Sequence, residues 1–321
     1  MSATDFWRMV ESKKIKLPGT PAWEIMGYSQ AARKTMLYCQ QLHIAFDAGT
    51  ECTQKPKIIF ISHTHYDHIC MLISLLLGYE IGETPIIVCP AGSMQYLKNW
   101  VAAGIIMTKN NSAKAHAFVA SLNFVPAIIP KGMTHVTMPS LTDGSPYTII
   151  NKIRFKITLF KCNHSVPTTG YGFTEIRSRL KDEFKGLPQG ELEEIKSRGI
   201  DITHEVELDH FCYLLDTDHE VLANPELEKF KTLITECTFW DPKDLKTAKQ
   251  KKHMHFINLK PYVMSHPEQT IIAVHMSAKH TDKEIDDIVK AEGLSNLIPL
   301  IHSDHGTSGE CESDDDCCCD T

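Results

Sequence analysis

The stretch Ser62-His63-Thr64-His65-Tyr66-Asp67-His68 places three imidazoles and one carboxylate within six residues. Neutral imidazole nitrogen and carboxylate oxygen are the donors that borderline metals such as Zn²⁺ prefer. The stretch follows Lys57-Ile58-Ile59-Phe60-Ile61, which reads as a buried strand, and precedes Ile69–Leu77, an apolar run that reads as a helix. Residues i and i+2 leave a strand end on the same face, so a strand-to-helix turn can aim all four side chains into one pocket. The pattern points to a metal site rather than to a polar loop rich in histidine.

Working outward, the same arrangement recurs. Lys152–Cys162 alternates apolar Ile153, Phe155, Ile157 and Leu159 with Lys152, Arg154, Lys156 and Thr158, the period of a half-buried strand, and delivers Asn163-His164. Phe211–Leu215 ends in Asp216, Thr232–Thr235 in Glu236, and Thr270–Val274 in His275. With His63, five strand ends each present one His, Asp or Glu. Active sites gather where strand ends meet loops on a rigid scaffold.

Around these, Trp23–Gly27, Thr35–Cys39 and His43–Phe46 read as short strands ended by Asp47-Ala48-Gly49, and Pro85–Pro90 as another. Ala91–Gly104 reads as a helix, with Met94, Leu97, Val101 and Ile105 at three- and four-residue steps. Residues 106–150, broken by Lys-Asn-Asn, Pro and Gly, yield no order. Tyr171–Ile176 reads as a strand followed by a basic, helix-like stretch to Gly199. A Lys-rich segment, Lys243 to Lys252, leads to His253 and His255, and Asp282–Val289 reads as an amphipathic closing helix. Strands early and late with helices between suit two sheets with helices outside.

The chain has 321 residues, 42% of them apolar, and no internal linker, so residues 1–309 are expected to form one domain. No run approaches the ~20 apolar residues of a membrane span, and Met1–Trp7 lacks the basic start and apolar core of a signal peptide. Seven of eleven cysteines are scattered singly from Cys39 to Cys237, which suits reduced thiols and a reducing compartment, cytoplasmic or nuclear. The other four lie in the acidic tail 310–321, expected to be disordered. That tail carries six acids and no bases, which leaves the body nearly neutral, with 34 acids to 33 bases. Net charge therefore neither supports nor excludes a polyanionic partner.

His63-x-His65-x-Asp67-His68 matches the signature of the metallo-β-lactamase superfamily, and residues 23–291 resemble ribonuclease Z in its short form. Besides the signature, the resemblance rests on Gly170-Tyr171-Gly172-Phe173, Thr235-Glu236-Cys237-Thr238-Phe239, Lys252-His253-Met254-His255 and Val274-His275-Met276-Ser277-Ala278-Lys279-His280-Thr281. It implies a four-layer αββα sandwich of two mixed β-sheets with helices outside. It also implies a zinc-dependent endoribonuclease that removes the 3′ trailer of tRNA precursors by two-metal-activated hydroxide attack, acting as a homodimer. His63, His65 and His164 would hold one zinc, Asp67, His68 and His275 a second, and Asp216 would bridge them. Asp67 could take the proton of the attacking water, with Glu236 and His253 as a supporting catalytic pair. Ser277, Lys279 and Thr281 would contact substrate. Residues 175–209, with Arg177, Arg179 and Lys181, would form an arm that grips tRNA.

The chain departs from that family where Cys70-Met71 replace two glycines, Leu215 replaces the glycine before Asp216, Lys252 the glycine before His253, and Lys279 an arginine. From the residues alone, His255 remains a rival of His253 for the proton donor. The fold alone does not choose the substrate. A small-molecule or cyclic-nucleotide phosphodiesterase and a non-catalytic RNA-binding relative stay open.

Overall fold

Two mixed sheets face each other in the computed structural model, which describes residues 6, 9–10, 13–20, 22–142 and 145–302. The tail expected to be disordered lies outside them. The first sheet contains β1 (Ile15–Lys16), β2 (Glu24–Gln30), β3 (Lys34–Cys39), β4 (Ile44–Phe46), β5 (Ile58–Phe60), β6 (Ile86–Pro90) and β7 (Asn123–Ala127), in sequence order. The second contains β8 (His135–Thr137), β9 (Thr148–Ile150), β10 (Ile153–Cys162), β11 (Thr168–Leu180), β12 (Thr203–Leu214), β13 (Thr232–Glu236), β14 (Thr270–Val274) and β15 (Leu297–Pro299). Its order is β15-β14-β13-β12-β11-β10-β8, with β9 also paired to β10. Each sheet starts as an antiparallel meander and continues as parallel strands, from β4 in the first and from β12 in the second.

Three apolar clusters mark the layers. Leu37, Phe46, Phe60, Phe155, Ile157, Leu159, Phe173, Phe211 and Tyr213 fill the space between the sheets. A second cluster packs Leu97, Val101, Ile105 and Phe118 of helices Met94–Thr108 and Ala113–Ser121 on the outer face of the first sheet. A third packs Phe256, Leu259 and Val263 of helix Phe256–Ser265, and Ile285 and Val289 of helix Asp282–Ala291, on the outer face of the second. The result is the four-layer αββα arrangement of the metallo-β-lactamase fold.

β10 shows how the alternation works. Phe155, Ile157 and Leu159 point between the sheets, while Arg154 and Lys156 face outward and pair with Glu205 and Glu207 on β12. The closing helix starts at a capping box in which Thr281 accepts from the Glu284 N–H and Glu284 accepts from the Thr281 N–H.

Several local expectations change. The apolar run after the signature forms two short helices, Tyr66–Ile69 and Leu72–Leu77, divided at Cys70-Met71. The unordered interval 106–150 holds helix Ala113–Ser121 and strands β7 to β9. The stretch read as a basic helix to Gly199 is mostly a two-stranded ribbon. β11 and β12 pair from Tyr171 opposite Tyr213 out to Leu180 opposite Thr203, and the tip holds a 3-10 turn, Asp182–Phe184, and one α-helix, Gln189–Ser197.

Candidate metal centre

β4, β5, β10, β12, β13 and β14 end on one side of the molecule, where the chain turns sharply. Asp47, Asp216 and His275, each just beyond a strand, take left-handed backbone angles with φ of 59°, 45° and 63°. Asp and His tolerate that region better than most residues, but each such position still costs on the order of 1 kcal/mol. Gly49 lets the first turn close, because a Cβ there would lie 1.6 Å from the Asp67 carbonyl oxygen.

Two groups of donors result. In the first, His63 Nε2 and His164 Nε2 lie 3.0 and 3.1 Å from His65 Nδ1, and 3.5 and 3.7 Å from Asp216 Oδ2. In the second, His68 Nε2, His275 Nε2 and Asp67 Oδ2 are 3.3 to 3.4 Å apart, and both histidine nitrogens are 3.4 Å from Asp216 Oδ1. Four donors about 2.0–2.1 Å from a tetrahedral ion are about 3.3–3.4 Å from one another. The second group matches that edge at all five separations, and the first brackets it. Asp216 turns one oxygen to each group, and its buried Oδ1 has no hydrogen-bond partner among the described residues. An orphaned buried acceptor needs a partner, and a cation between these donors would supply it. The residues fit two metal ions sharing one carboxylate.

The other ring nitrogens are held by hydrogen bonds. His63 Nδ1 donates to Ser62 Oγ (3.0 Å), whose hydroxyl donates to Asp47. His68 Nδ1 donates to Asp47 Oδ2 (2.9 Å), which also accepts from Tyr213 Oη (2.6 Å). His275 Nδ1 donates to Thr238 Oγ1 (3.1 Å), whose hydroxyl donates to Glu236 (2.6 Å). His164 Nδ1 donates to the Lys252 carbonyl (3.3 Å), and His65 Nε2 meets Ser165 Oγ at 3.2 Å. Such partners fix the tautomer and aim the free nitrogen at a metal.

Electrostatics agree with the two groups. Burial and the neighbouring imidazoles push His63 well below its usual range, and burial with the nearby His253 brings His164 down to about 3. Burial also lowers His65 to about 4. These rings are therefore neutral, as ligands must be. Burial raises Asp67, but the charge of His68 and the hydrogen bonds from His275 and His68 outweigh it and hold the carboxyl low. Burial disfavours the charged form of His68, yet Asp67, Asp216 and Asp47 together raise it well above the ordinary range. The carboxylates that attract a proton there attract a divalent cation equally.

Glu236 and His253 sit beside both groups. His253 Nδ1 lies 2.9 and 3.1 Å from the two Glu236 oxygens, which also accept from the Thr217 N–H (2.6 Å) and the Met254 N–H (3.1 Å). Burial opposes the ionised form, but the His253 charge and hydrogen bond lower Glu236 to about 2. A ring nitrogen of His253 lies within 4.8 Å of donor atoms of Asp216 and His275. His255 faces elsewhere. Its Nδ1 caps helix Phe256–Ser265 by accepting from Ile257, and its Nε2 donates to the Asp241 carbonyl. Both nitrogens are engaged, so of the two only His253 reaches the centre.

The expected substrate contacts fare unevenly. Lys279 is exposed, 3.7 Å from buried Asp244, and Ser277 Oγ accepts from its backbone N–H. The Thr281 hydroxyl caps the closing helix. Arg177 and Arg179 fall at alternate positions of β11 and share a face, and Lys181 follows just past the end of that strand. Arg177 forms a fork on Glu175, Lys181 donates to the Asp201 carbonyl, and Arg179 is exposed. Ser62 and Thr238, which lie within the motifs quoted above, carry functions that only their place reveals in the sequence: each is a hydroxyl beside a donor or acid residue. Tyr213 and the Lys252 carbonyl carry no such signal.

No family model matches the chain. It is similar to tRNase Z TRZ1 of Arabidopsis thaliana, with 26% identity over 292 residues that cover 88% of this chain and 94% of that protein. It is also similar to the chloroplastic tRNase Z TRZ2 of the same plant, with 24% identity covering 87% and 75%. Among solved structures, the short form of human tRNase Z aligns at 14% identity over 86% of this chain and 95% of that one, with a TM-score of 0.48.

Proposed function

We propose that this chain, which resembles ribonuclease Z and has the metallo-β-lactamase fold, is a zinc-dependent endoribonuclease that cuts the 3′ trailer from tRNA precursors. The observation that carries the chemistry is the pair of tetrahedral donor groups sharing Asp216. Bound at these residues, two divalent cations would supply Lewis acidity at the phosphate and acidify the attacking water. Nitrogen and oxygen donors without thiolate suit zinc.

The chain's own residues do the rest. Asp67, ionised and at the second group, accepts the proton of the attacking water. His253, held through Nδ1 by Glu236, presents Nε2 to the centre and protonates the leaving oxygen. Glu236 also fixes the Thr217 N–H beside Asp216 and, through Thr238, the ring of His275.

The ribbon supports a long substrate. Thr169 at its root bonds the carbonyl of Ser62, while Leu180 lies eleven residues further along β11. The first part of β11, Thr168–Ile176, is buried in the sheet, so at about 3.3 Å per residue Arg177 and Arg179 lie up to ~25–35 Å from the centre, a distance that a folded RNA spans and a small ester does not. Lys246 and Lys249, exposed on helix Leu245–Lys251 just before His253, offer further phosphate contacts. Assembly as a homodimer belongs to the same reading. So does a cytoplasmic or nuclear location, which the single, scattered spacing of the cysteines from Cys39 to Cys237 suits. Among the described residues no helix is long and apolar enough to cross a membrane.

The test is incubation of the zinc-loaded protein with an end-labelled tRNA precursor, scored for a single cut that leaves a 3′-hydroxyl. Hydrolysis of bis(p-nitrophenyl) phosphate without RNA cleavage would return the chain to the small-phosphodiesterase reading. RNA binding with neither activity would make it a non-catalytic relative.

A further inference from the structure

A cleft of about 470 Å³ opens directly beside the first donor group. It lies off the carboxyl ends of β6 and β7 and under the loop that follows β10, in the gap between the two sheets. Ligands favour that position in open α/β sheets. His164 and Ser165 line one end, so the cleft is continuous with the centre, and Ser165 Oγ is 3.2 Å from His65.

Its chemistry is specific. Pro90, Ala127, Ile128 and Pro167 provide flat apolar walls, and Ile128 is left 59% exposed. Ser165, Thr168 and Thr169 add hydroxyls. The lining contains no carboxylate, and apart from His164 its one ionisable cation is Lys161, which is exposed and has no ion-pair partner among the described residues. Flat apolar walls, a few hydrogen-bonding groups and one unopposed cation fit an uncharged heterocycle joined to a phosphate. They do not fit a cationic ligand, which would meet Lys161 with nothing to neutralise it. The size is that of a small-ligand pocket, with room for one nucleotide rather than a helix.

We infer that this cleft is the subsite for a nucleotide flanking the scissile phosphate. Its base lies against Ile128 and the prolines, and its outer phosphate meets Lys161. The inference rests on the endoribonuclease reading and adds to it the place where the strand leaves the centre. Covering on the order of 40–120 Å² of apolar surface with the base, at about 25 cal/mol per Å², is worth about 1–3 kcal/mol, and a lysine on one phosphate contributes about one unit to the salt slope.

The experiment uses tRNA precursors in which each nucleotide flanking the cut is replaced, one at a time, by an abasic residue. The full chain is tested as wild type, Ile128→Asp and Lys161→Ala, each checked for melting temperature and metal content. In the wild type one abasic position, by losing that apolar burial, should lower kcat/KM by roughly 5- to 150-fold. In Ile128→Asp that penalty should shrink to below about threefold, because the base then has no wall to lose. Lys161→Ala should keep the abasic penalty and lower the salt slope by about one. An abasic penalty in Ile128→Asp as large as in the wild type, or a salt slope in Lys161→Ala equal to the wild type's, overturns the assignment while the endoribonuclease reading stands. If the wild type cleaves no precursor, that reading fails first and the subsite with it.

Discussion

Replacing His253 and Glu236 separates proton transfer from metal binding. In His253→Ala, Glu236 keeps three of its hydrogen bonds, from the Thr217 N–H, the Thr238 hydroxyl and the Met254 N–H. The variant should therefore fold, hold its full complement of metal, and lose roughly 10²–10⁴ in kcat on an RNA substrate. The loss should nearly vanish on bis(p-nitrophenyl) phosphate, whose weakly basic leaving group needs no proton. Glu236→Gln behaves differently. An amide nitrogen in the place of Oε1 would face two donors, the Thr217 N–H and His253 Nδ1. In the place of Oε2 it faces the Met254 N–H and, at 3.1 Å, His253 Nδ1, but His253 can keep its shorter bond to Oε1 (2.9 Å) and the Thr238 hydroxyl can turn to the His275 carbonyl 3.0 Å away.

The second orientation therefore wins, and it leaves one buried N–H unpaired at a cost of about 1–3 kcal/mol. Glu236→Gln should lower the melting temperature by several degrees, on the order of 2–4 °C per kcal/mol. It should also weaken metal binding through Thr238 and His275, with a smaller loss of rate than His253→Ala. The double variant should turn over little more slowly than His253→Ala, because the pair acts as one unit. Glu236 is held near 2 and stays ionised across any practical assay, so an acid limb of the rate profile between pH 5 and 7 belongs to another group. Equal losses on RNA and on bis(p-nitrophenyl) phosphate, or metal loss in His253→Ala, would refute the reasoning.

Elemental analysis should find about two zinc equivalents per wild-type chain and markedly less in Asp216→Ala, since each group loses an oxygen ligand; an unchanged metal content would show that Asp216 bridges nothing. Replacing residues 182–201 by Asn-Gly closes the ribbon where the Lys181 N–H meets the Ile202 carbonyl. That variant should cleave precursor tRNA with a lower kcat/KM and keep its activity on bis(p-nitrophenyl) phosphate; equal losses would make the tip structural. Gly49→Ala forces a methyl group against the Asp67 carbonyl, where the 1.6 Å approach requires the turn to move. It should destabilise the chain by more than about 3 kcal/mol in chemical denaturation; a near-normal midpoint would show that the turn yields.

The parts of the fold that sequence made visible are those in which side-chain chemistry and backbone period coincide. β10 alternates cleanly because one face lies between the sheets, and the histidine signature stands out because its donors are crowded. The ribbon was harder to see. Arg177, Arg179 and Lys181 do follow a period of two, but neither face of the outer ribbon is buried, so no apolar alternation marks it. The charges of the adjoining tip helix then suggested a single longer helix. Residues 106–150 stayed unordered because β8 and β9 are three residues each and too short to show a period. The choice between His253 and His255 turned on backbone groups. His255 is removed from the centre by the Ile257 N–H and the Asp241 carbonyl, which no side-chain pattern announces.

The departures from the family pattern also have structural reasons. Leu215, where the family has glycine, points into the space between the sheets and is fully buried there. Cys70 donates its thiol to the Gly49 carbonyl at 3.1 Å, so the turn that carries Asp47 is tied to the signature from both sides. Lys252 occupies a left-handed position, φ 54°, that a glycine would adopt without strain, and its carbonyl and ammonium both contact His164. None of these changes removes a donor from either group. Each half of the sandwich also repeats one device: an imidazole of a donor group donates to a hydroxyl, and the hydroxyl donates to a buried carboxylate. His63, Ser62 and Asp47 do this in the first half, and His275, Thr238 and Glu236 in the second. Two carboxylates therefore set the tautomers of the imidazoles on both sides of Asp216. The strain at Asp47, Asp216 and His275 persists because the surrounding bonds leave these turns no other conformation in which the donors are satisfied.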